Sequence, residues 1–125
     1  MRTGIKGTQS VMVTDTNTAR TMGSGTLDVF ATPALTALME KTAWKSVENE
    51  LDEGCGTVGI LLEVSHDAPT PPGMTVTCES ELIQINGKEL TFEVKAYDER
   101  GAVGKGIHKR FIINEERFME KALRK

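Results

Sequence analysis

The stretch Thr32-Pro33-Ala34-Leu35-Thr36-Ala37-Leu38-Met39-Glu40-Lys41-Thr42-Ala43-Trp44 decides how this chain folds. Thr32 suits a helix N-cap, and Pro33 suits the first helical position, where its missing N–H would have been unpaired anyway. The pattern predicts a helix from Pro33 to about Leu51, roughly 28 Å long at about 1.5 Å per residue. Asp52-Glu53-Gly54 ends it, with Gly54 fitting a left-handed C-terminal cap. Leu35, Ala37, Leu38, Met39, Ala43 and Trp44 spread small or apolar side chains around most of the circumference. A surface helix keeps one clearly polar face, so this one is expected to be wrapped on several sides. The second half, with Lys45, Glu48, Asn49 and Glu50, reads as more solvated.

What wraps the helix is strand. Lys6 to Val13 suits an N-terminal strand, and Asp15 to Gly25, rich in Thr, Gly, Asn and Ser, suits turns. Leu27 to Phe30 is a short apolar lead into the helix. After it, Val58 to His66 alternates so that Val58, Ile60, Leu62, Val64 and His66 are expected on one face. Asp67 to Gly73, with Pro69, Pro71 and Pro72, makes a stiff connection. Met74 to Ile85, Leu90 to Tyr97 and Gly104 to Ile113 complete an antiparallel meander. Asn86-Gly87 predicts a type I′ hairpin, and Asn114 can cap a short helix from Glu115 to Leu123. One long helix beside a run of strands implies an α+β fold, a curved antiparallel sheet around a central helix. One such sheet leaves an edge and part of its helix bare, so two copies are expected to pair.

Composition bounds the rest. With 125 residues and 13.6 kDa, residues 1–125 read as a single domain. A net charge of −3 without a basic run gives nucleic-acid binding no support. The longest apolar run, Val58 to Leu62 with Gly59 inside it, is too short to span a bilayer. The N-terminus lacks the apolar stretch of a signal peptide, and Cys55 and Cys78 form neither a metal-ligand spacing nor a disulfide framework. A cytoplasmic protein with reduced cysteines and no metal is the expectation.

Among candidate functional residues, Glu40 is the one that structural need explains least. Thr36, Ala37, Ala43 and Trp44, one turn away, include no base, so a partly desolvated carboxylate suits proton transfer or nucleophilic attack. A surface pairing with Lys41 or Lys45 is the plain alternative. Thr32 is equally explained as a cap, and His66, at the end of an apolar strand face, as a structural histidine. His108 and Arg110 alternate onto one face, which is either ordinary exposed surface or a contact for an anionic ligand. Gly59 interrupts a bulky strand and marks either a bulge or a close approach by a ligand.

Several runs carry a family resemblance. They are Val29-Phe30-Ala31-Thr32-Pro33-Ala34, Leu38-Met39-Glu40, Gly59 with Val64-Ser65-His66, Thr70-Pro71-Pro72-Gly73-Met74-Thr75-Val76, and Gly104-Lys105-Gly106-Ile107-His108-Lys109-Arg110. Together, from about Val29 to Phe118, they resemble the fluoroacetyl-CoA thioesterase-like branch of the hot-dog superfamily. The eight-residue step from Thr32 to Glu40, then twenty-six to His66, is the specific part. The resemblance implies a hot-dog fold, a catalytic set of Thr32, Glu40 and His66, and Gly59 binding the thioester carbonyl. It also implies Arg110 near the ligand, so Arg110 and His108 are expected at coenzyme A. The implied function is hydrolysis of a short or small acyl-CoA to free acid and coenzyme A, in a homodimer or a dimer of such dimers. No cofactor is implied beyond the coenzyme A of the substrate. A catalytically silent dimer that binds acyl-CoA or another small ligand is the alternative. The fluoroacetyl-specific enzyme carries an aromatic lid segment, whereas Thr21-Met22-Gly23-Ser24-Gly25-Thr26 here holds no aromatic residue. Selectivity for a fluorinated acyl group is therefore not expected.

Overall fold

The computed structural model describes Met1–Lys125. Its elements run β1 (Lys6–Met12), α1 (Ala19–Met22), α2 (Thr32–Val47), β2 (Cys55–His66), β3 (Thr75–Asn86), β4 (Glu89–Asp98), β5 (Gly101–Asn114) and α3 (Glu115–Leu123). A 3-10 turn, Glu48–Glu50, ends α2 earlier than the sequence pattern predicts. The strands form one antiparallel sheet in the order β1-β3-β4-β5-β2, so β2 lies on an open edge. Helix α2 lies across this sheet and touches every strand.

Alternation explains the central strands. Val76, Cys78, Ser80 and Leu82 of β3, and Leu90, Phe92, Val94 and Ala96 of β4, all turn inward and are buried. They meet Leu35, Leu38, Met39, Ala43 and Val47 of α2 in one core. Burying a side chain such as Leu35 or Phe92 contributes about 1.5–3 kcal/mol over leaving it exposed. Close approach is needed where β1 crosses the helix. A Cβ on Gly7 would lie 2.7 Å from Ser46 Cβ and 2.8 Å from the Thr42 carbonyl oxygen, so only glycine fits.

The wrapping of α2 is incomplete within one chain. Pro33, Ala37, Glu40 and Trp44, spaced four, three and four residues apart, form a stripe that the chain's own sheet leaves open, with Trp44 37% exposed. This stripe and the bare edge of β2 lie on the side of the sheet away from β1, the other edge strand, and both are open in the single chain.

Three local expectations change. The segment read as turns holds α1, capped by the Thr18 hydroxyl and closed by Gly23 at φ 76°. Asn86 pairs with Glu89, so the hairpin turn is Gly87-Lys88, and only Gly87 has positive φ. That is the type II′ pattern rather than I′. Most important, Ile60 is an extra residue: Gly59 pairs with Arg110 and Leu61 with Lys109. The predicted single face Val58, Ile60, Leu62, Val64, His66 therefore breaks. Gly59 lies on the face with Leu62, Val64 and His66, opposite Arg110, His108, Gly106 and Gly104, while Val58 turns away.

Candidate active site

Thr32 does not cap its helix. Ala31 is the N-cap, no side chain caps the first turn, and the Thr32 hydroxyl lies 2.7 Å from His66 Nδ1 instead. Backbone bonds hold the helix start in place: Phe30 N–H donates to the Thr70 carbonyl and Ala31 N–H to the Asn17 carbonyl, at 2.8 and 2.9 Å. His66 arrives as the last residue of β2, paired with Gly104. A Cβ on Gly104 would lie 2.5 Å from the Ser65 carbonyl oxygen and 3.2 Å from Leu35 Cδ2, so glycine there lets the end of β2 sit close over the helix. Burial lowers the His66 pKa, with the nearby Asp67 charge opposing, so the ring is neutral at neutral pH. His66 Nε2 is sealed from solvent and has no partner. Proton exchange at this ring therefore runs through Nδ1 and the exposed Thr32 hydroxyl.

A second cluster forms around Glu40. Its carboxylate oxygen Oε2 lies 3.3 Å from Arg110 Nη1, which replaces the expected pairing with Lys41 or Lys45. The two partners differ in environment, since the Glu40 side chain is 44% exposed and that of Arg110 is 7% exposed. Arg110 is tied down further: Nε donates to Thr57 Oγ1 at 2.8 Å and Nη2 to the Thr57 carbonyl at 2.9 Å. Nη1 also lies 3.2 Å from His108 Nε2. His108 is 1% exposed, and its Nδ1 lies 2.8 Å from the Leu61 carbonyl oxygen. A carbonyl only accepts, so Nδ1 carries the proton and Nε2 accepts from Arg110. Burial chiefly lowers the pKa of His108, helped by the Arg110 charge and opposed by the Leu61 bond and Glu40.

His108 and Arg110, the residues expected at coenzyme A, make these contacts within the chain itself. Both point inward, and four of the five Arg110 N–H donors are already engaged. Thr57, the residue that holds the guanidinium from below, was not legible in advance. Its only signal is its place two residues before Gly59 on the strand facing Arg110.

Gly59 is where this cluster converges. A Cβ there would lie 2.7 Å from Glu40 Oε2, 3.3 Å from Arg110 Nη1 and 3.3 Å from His108 Cε1. Its backbone has a second property. Ile112 N–H donates to the Lys88 carbonyl of the hairpin, so even-numbered residues of β5 turn their polar groups toward β4. Gly59 faces Arg110, an even position, and so its own N–H points to the open edge of the sheet.

Within one protomer the two clusters stay apart. Eight residues of helix carry Glu40 about 12 Å along the axis from Thr32. Gly59 and His66 stand roughly 20 Å apart along β2. The chain therefore brings Thr32 to His66, and Glu40 to Gly59, Arg110 and His108, but does not join the two groups. No group of three His, Cys, Asp or Glu side chains is placed to hold a metal ion, and no helix is long and apolar enough to cross a membrane.

A protein of Streptantibioticus cattleyicolor, fluoroacetyl-CoA thioesterase, is 38% identical over 98 residues, which span 78% of this chain and 70% of that protein. The solved structure of the fluoroacetyl-CoA thioesterase FlK is 34% identical and matches with a TM-score of 0.95 over 100% of this chain and 97% of its own. A thioesterase superfamily member from Thermus thermophilus, 26% identical, matches with a TM-score of 0.91 over 98% of this chain and 91% of its own. The fold is also that of a hot-dog-like protein from Thermanaerovibrio acidaminovorans, with a TM-score of 0.90 at 22% identity over 99% and 92% of the two chains. The profile of the family described as FlK, fluoroacetyl-CoA-specific thioesterase, matches residues 13–116, and the chain belongs to that family.

Proposed function

We propose that this protein hydrolyses small acyl-CoA thioesters to the free acid and coenzyme A, as a homodimer whose active sites are shared between protomers. The observation that supports this most is the convergence over bare Gly59: a carboxylate fixed by Arg110 beside a backbone N–H that faces an open edge. A thioester carbonyl under attack needs that pair, a donor for its developing negative charge and a carboxylate at its carbon.

The two open surfaces supply the dimer. Antiparallel pairing of β2 with its own copy covers the bare edge. With the two-fold axis near Leu62 and Glu63, the His66 of one protomer comes opposite the Gly59 bulge of its partner. Each site then takes Glu40, Gly59 and Arg110 from one chain, and Thr32 and His66 from the other. The stripe Pro33, Ala37, Glu40 and Trp44 faces the same seam.

In such a site the thioester oxygen accepts from Gly59 N–H, and Glu40 attacks the carbonyl carbon or takes a proton from the attacking water. Thr32, bonded to the neutral His66, positions the attacking group, and the proton removed from the attacking water is the one delivered to the departing thiolate, with the Thr32–His66 pair as relay. Water supplies the hydroxyl of the acid, and coenzyme A leaves as the thiol. Two of the relatives named above are fluoroacetyl-CoA thioesterases, but the segment Thr21 to Thr26 carries no aromatic side chain here. The substrate we propose is a small acyl-CoA without selection for fluorine. A cytoplasmic location belongs to the same reading, supported by two free cysteines and a coenzyme A substrate.

Thiol release from a panel that includes acetyl-, fluoroacetyl- and longer acyl-CoAs tests the reading. Turnover of the small members without a large fluoroacetyl preference is expected. Binding of coenzyme A with no turnover of any member would make the protein a silent ligand-binding dimer instead.

A further inference from the structure

His108 sits in the middle of this machinery, with Cε1 toward the space over Gly59 and both nitrogens turned to other partners. It is sealed in the core, tilted beside Phe92 with ring centroids 6.2 Å apart, and both of its nitrogens are used. Nδ1 holds the carbonyl of Leu61, the residue immediately after the extra residue of β2. Nε2 holds the same Arg110 nitrogen that holds Glu40. The donor strand and the carboxylate are thus fastened to one ring from opposite sides.

We propose that His108 is a positioning residue. Its Nδ1–H fixes the bulge that aims the Gly59 N–H at the sheet edge. Its Nε2 fixes the Arg110 N–H fork that sets Glu40 over Gly59. This assignment rests on the acyl-CoA thioesterase reading, and it differs from a contact with coenzyme A, since both ring nitrogens are engaged within the chain. A buried imidazole serves because it offers one donor and one acceptor on a rigid ring. Without it, the bulge and the guanidinium each lose a fastening, and small misplacements at a reacting centre are costly.

Two variants test this. His108→Leu keeps apolar bulk and removes both bonds. His108→Gln offers an amide donor for Leu61 and an acyl oxygen for Arg110. We expect kcat to fall about 10-fold or more in His108→Leu with KM nearly unchanged, and most of that loss to return in His108→Gln. A folded His108→Leu protein with wild-type kcat would overturn the proposal. So would a loss carried by KM alone, which would return the ring to coenzyme A binding. A His108→Gln protein no better than His108→Leu would do the same. A readout independent of turnover separates this from failure of the thioesterase reading. In an NMR spectrum of ¹⁵N-labelled protein, the Arg110 guanidinium N–H signals should exchange slowly in wild type, quickly in His108→Leu and slowly again in His108→Gln. Equal exchange in all three would overturn the assignment even if wild type hydrolyses no acyl-CoA.

Discussion

Mixing two inactive variants should restore activity if each site is built from both chains. Glu40→Gln removes the carboxylate charge while keeping a polar partner for Arg110, and His66→Ala removes the imidazole that holds Thr32. Each variant alone should lose at least ~10²-fold in turnover, the lower range for acid–base groups. In one protomer Glu40 lies about 12 Å of helix axis from Thr32. Gly59 stands roughly 20 Å of strand from His66, so neither half can serve the other within a chain. A mixed dimer carries one site with both lesions and one site with none. Refolding the two variants together in equal amounts makes about half the dimers mixed, so the pool should recover about a quarter of wild-type turnover. Thiol release from the preferred acyl-CoA reads the rate, and two affinity tags used in sequence isolate the mixed dimers, which should reach about half. Mixed dimers that form but turn over no faster than their parents would refute the shared site and return the catalysis to one chain.

Two further predictions follow from the same geometry. Gly59→Ala places a Cβ 2.7 Å from Glu40 Oε2 and must push the carboxylate aside, so kcat should fall by about 10²-fold while the melting temperature changes little; an alanine variant with wild-type turnover would remove Gly59 from the site. Burial lowers the His66 pKa from 6.5, so turnover should hold from neutral pH down past 6.5 and fall only below it. The sign for stability is the same. The unfolded chain takes the proton first, so stability is full above 6.5 and declines as pH falls toward the lowered folded-state value, with the buried His108 adding in the same direction. Rate–pH and melting–pH profiles check both, and an acid limb centred above 6.5 would contradict the burial of the ring.

The fold was legible because hydrophobic periodicity is strong where it matters. Leu35, Leu38, Met39, Ala43 and Val47 sit at helical spacing, and β3 and β4 alternate cleanly, so core and sheet could be read directly. The residues of the candidate site were legible by type and spacing, but not their grouping. Thr32 has the signature of an N-cap, and nothing local says that its oxygen turns to an imidazole thirty-four positions on. The Glu40–Arg110 pair spans seventy residues, beyond any periodicity argument. Strict alternation put Ile60 on the inner face and left Gly59 outside; Gly59 marked a bulge as one of two readings, but a lone glycine does not say that the strand beyond it changes face. Ala37 and Trp44 counted with the wrapped positions, yet the chain's own sheet leaves them open, because small and apolar side chains on a helix do not say which body covers them.

In a homodimer paired along β2, the irregularity of that strand would also guard this edge against runaway growth. A twelve-residue edge strand carrying Ile60 at 50% exposure is the kind of border that recruits foreign strands and seeds fibres. The kink at Ile60 leaves that border fit for few neighbours: a straight strand laid along it loses register at the kink, whereas a two-fold mate brings a matching kink at the symmetric place. In the proposed homodimer, assembly along this edge would then stop at a closed pair, its sticky rim rendered harmless by one surplus amino acid.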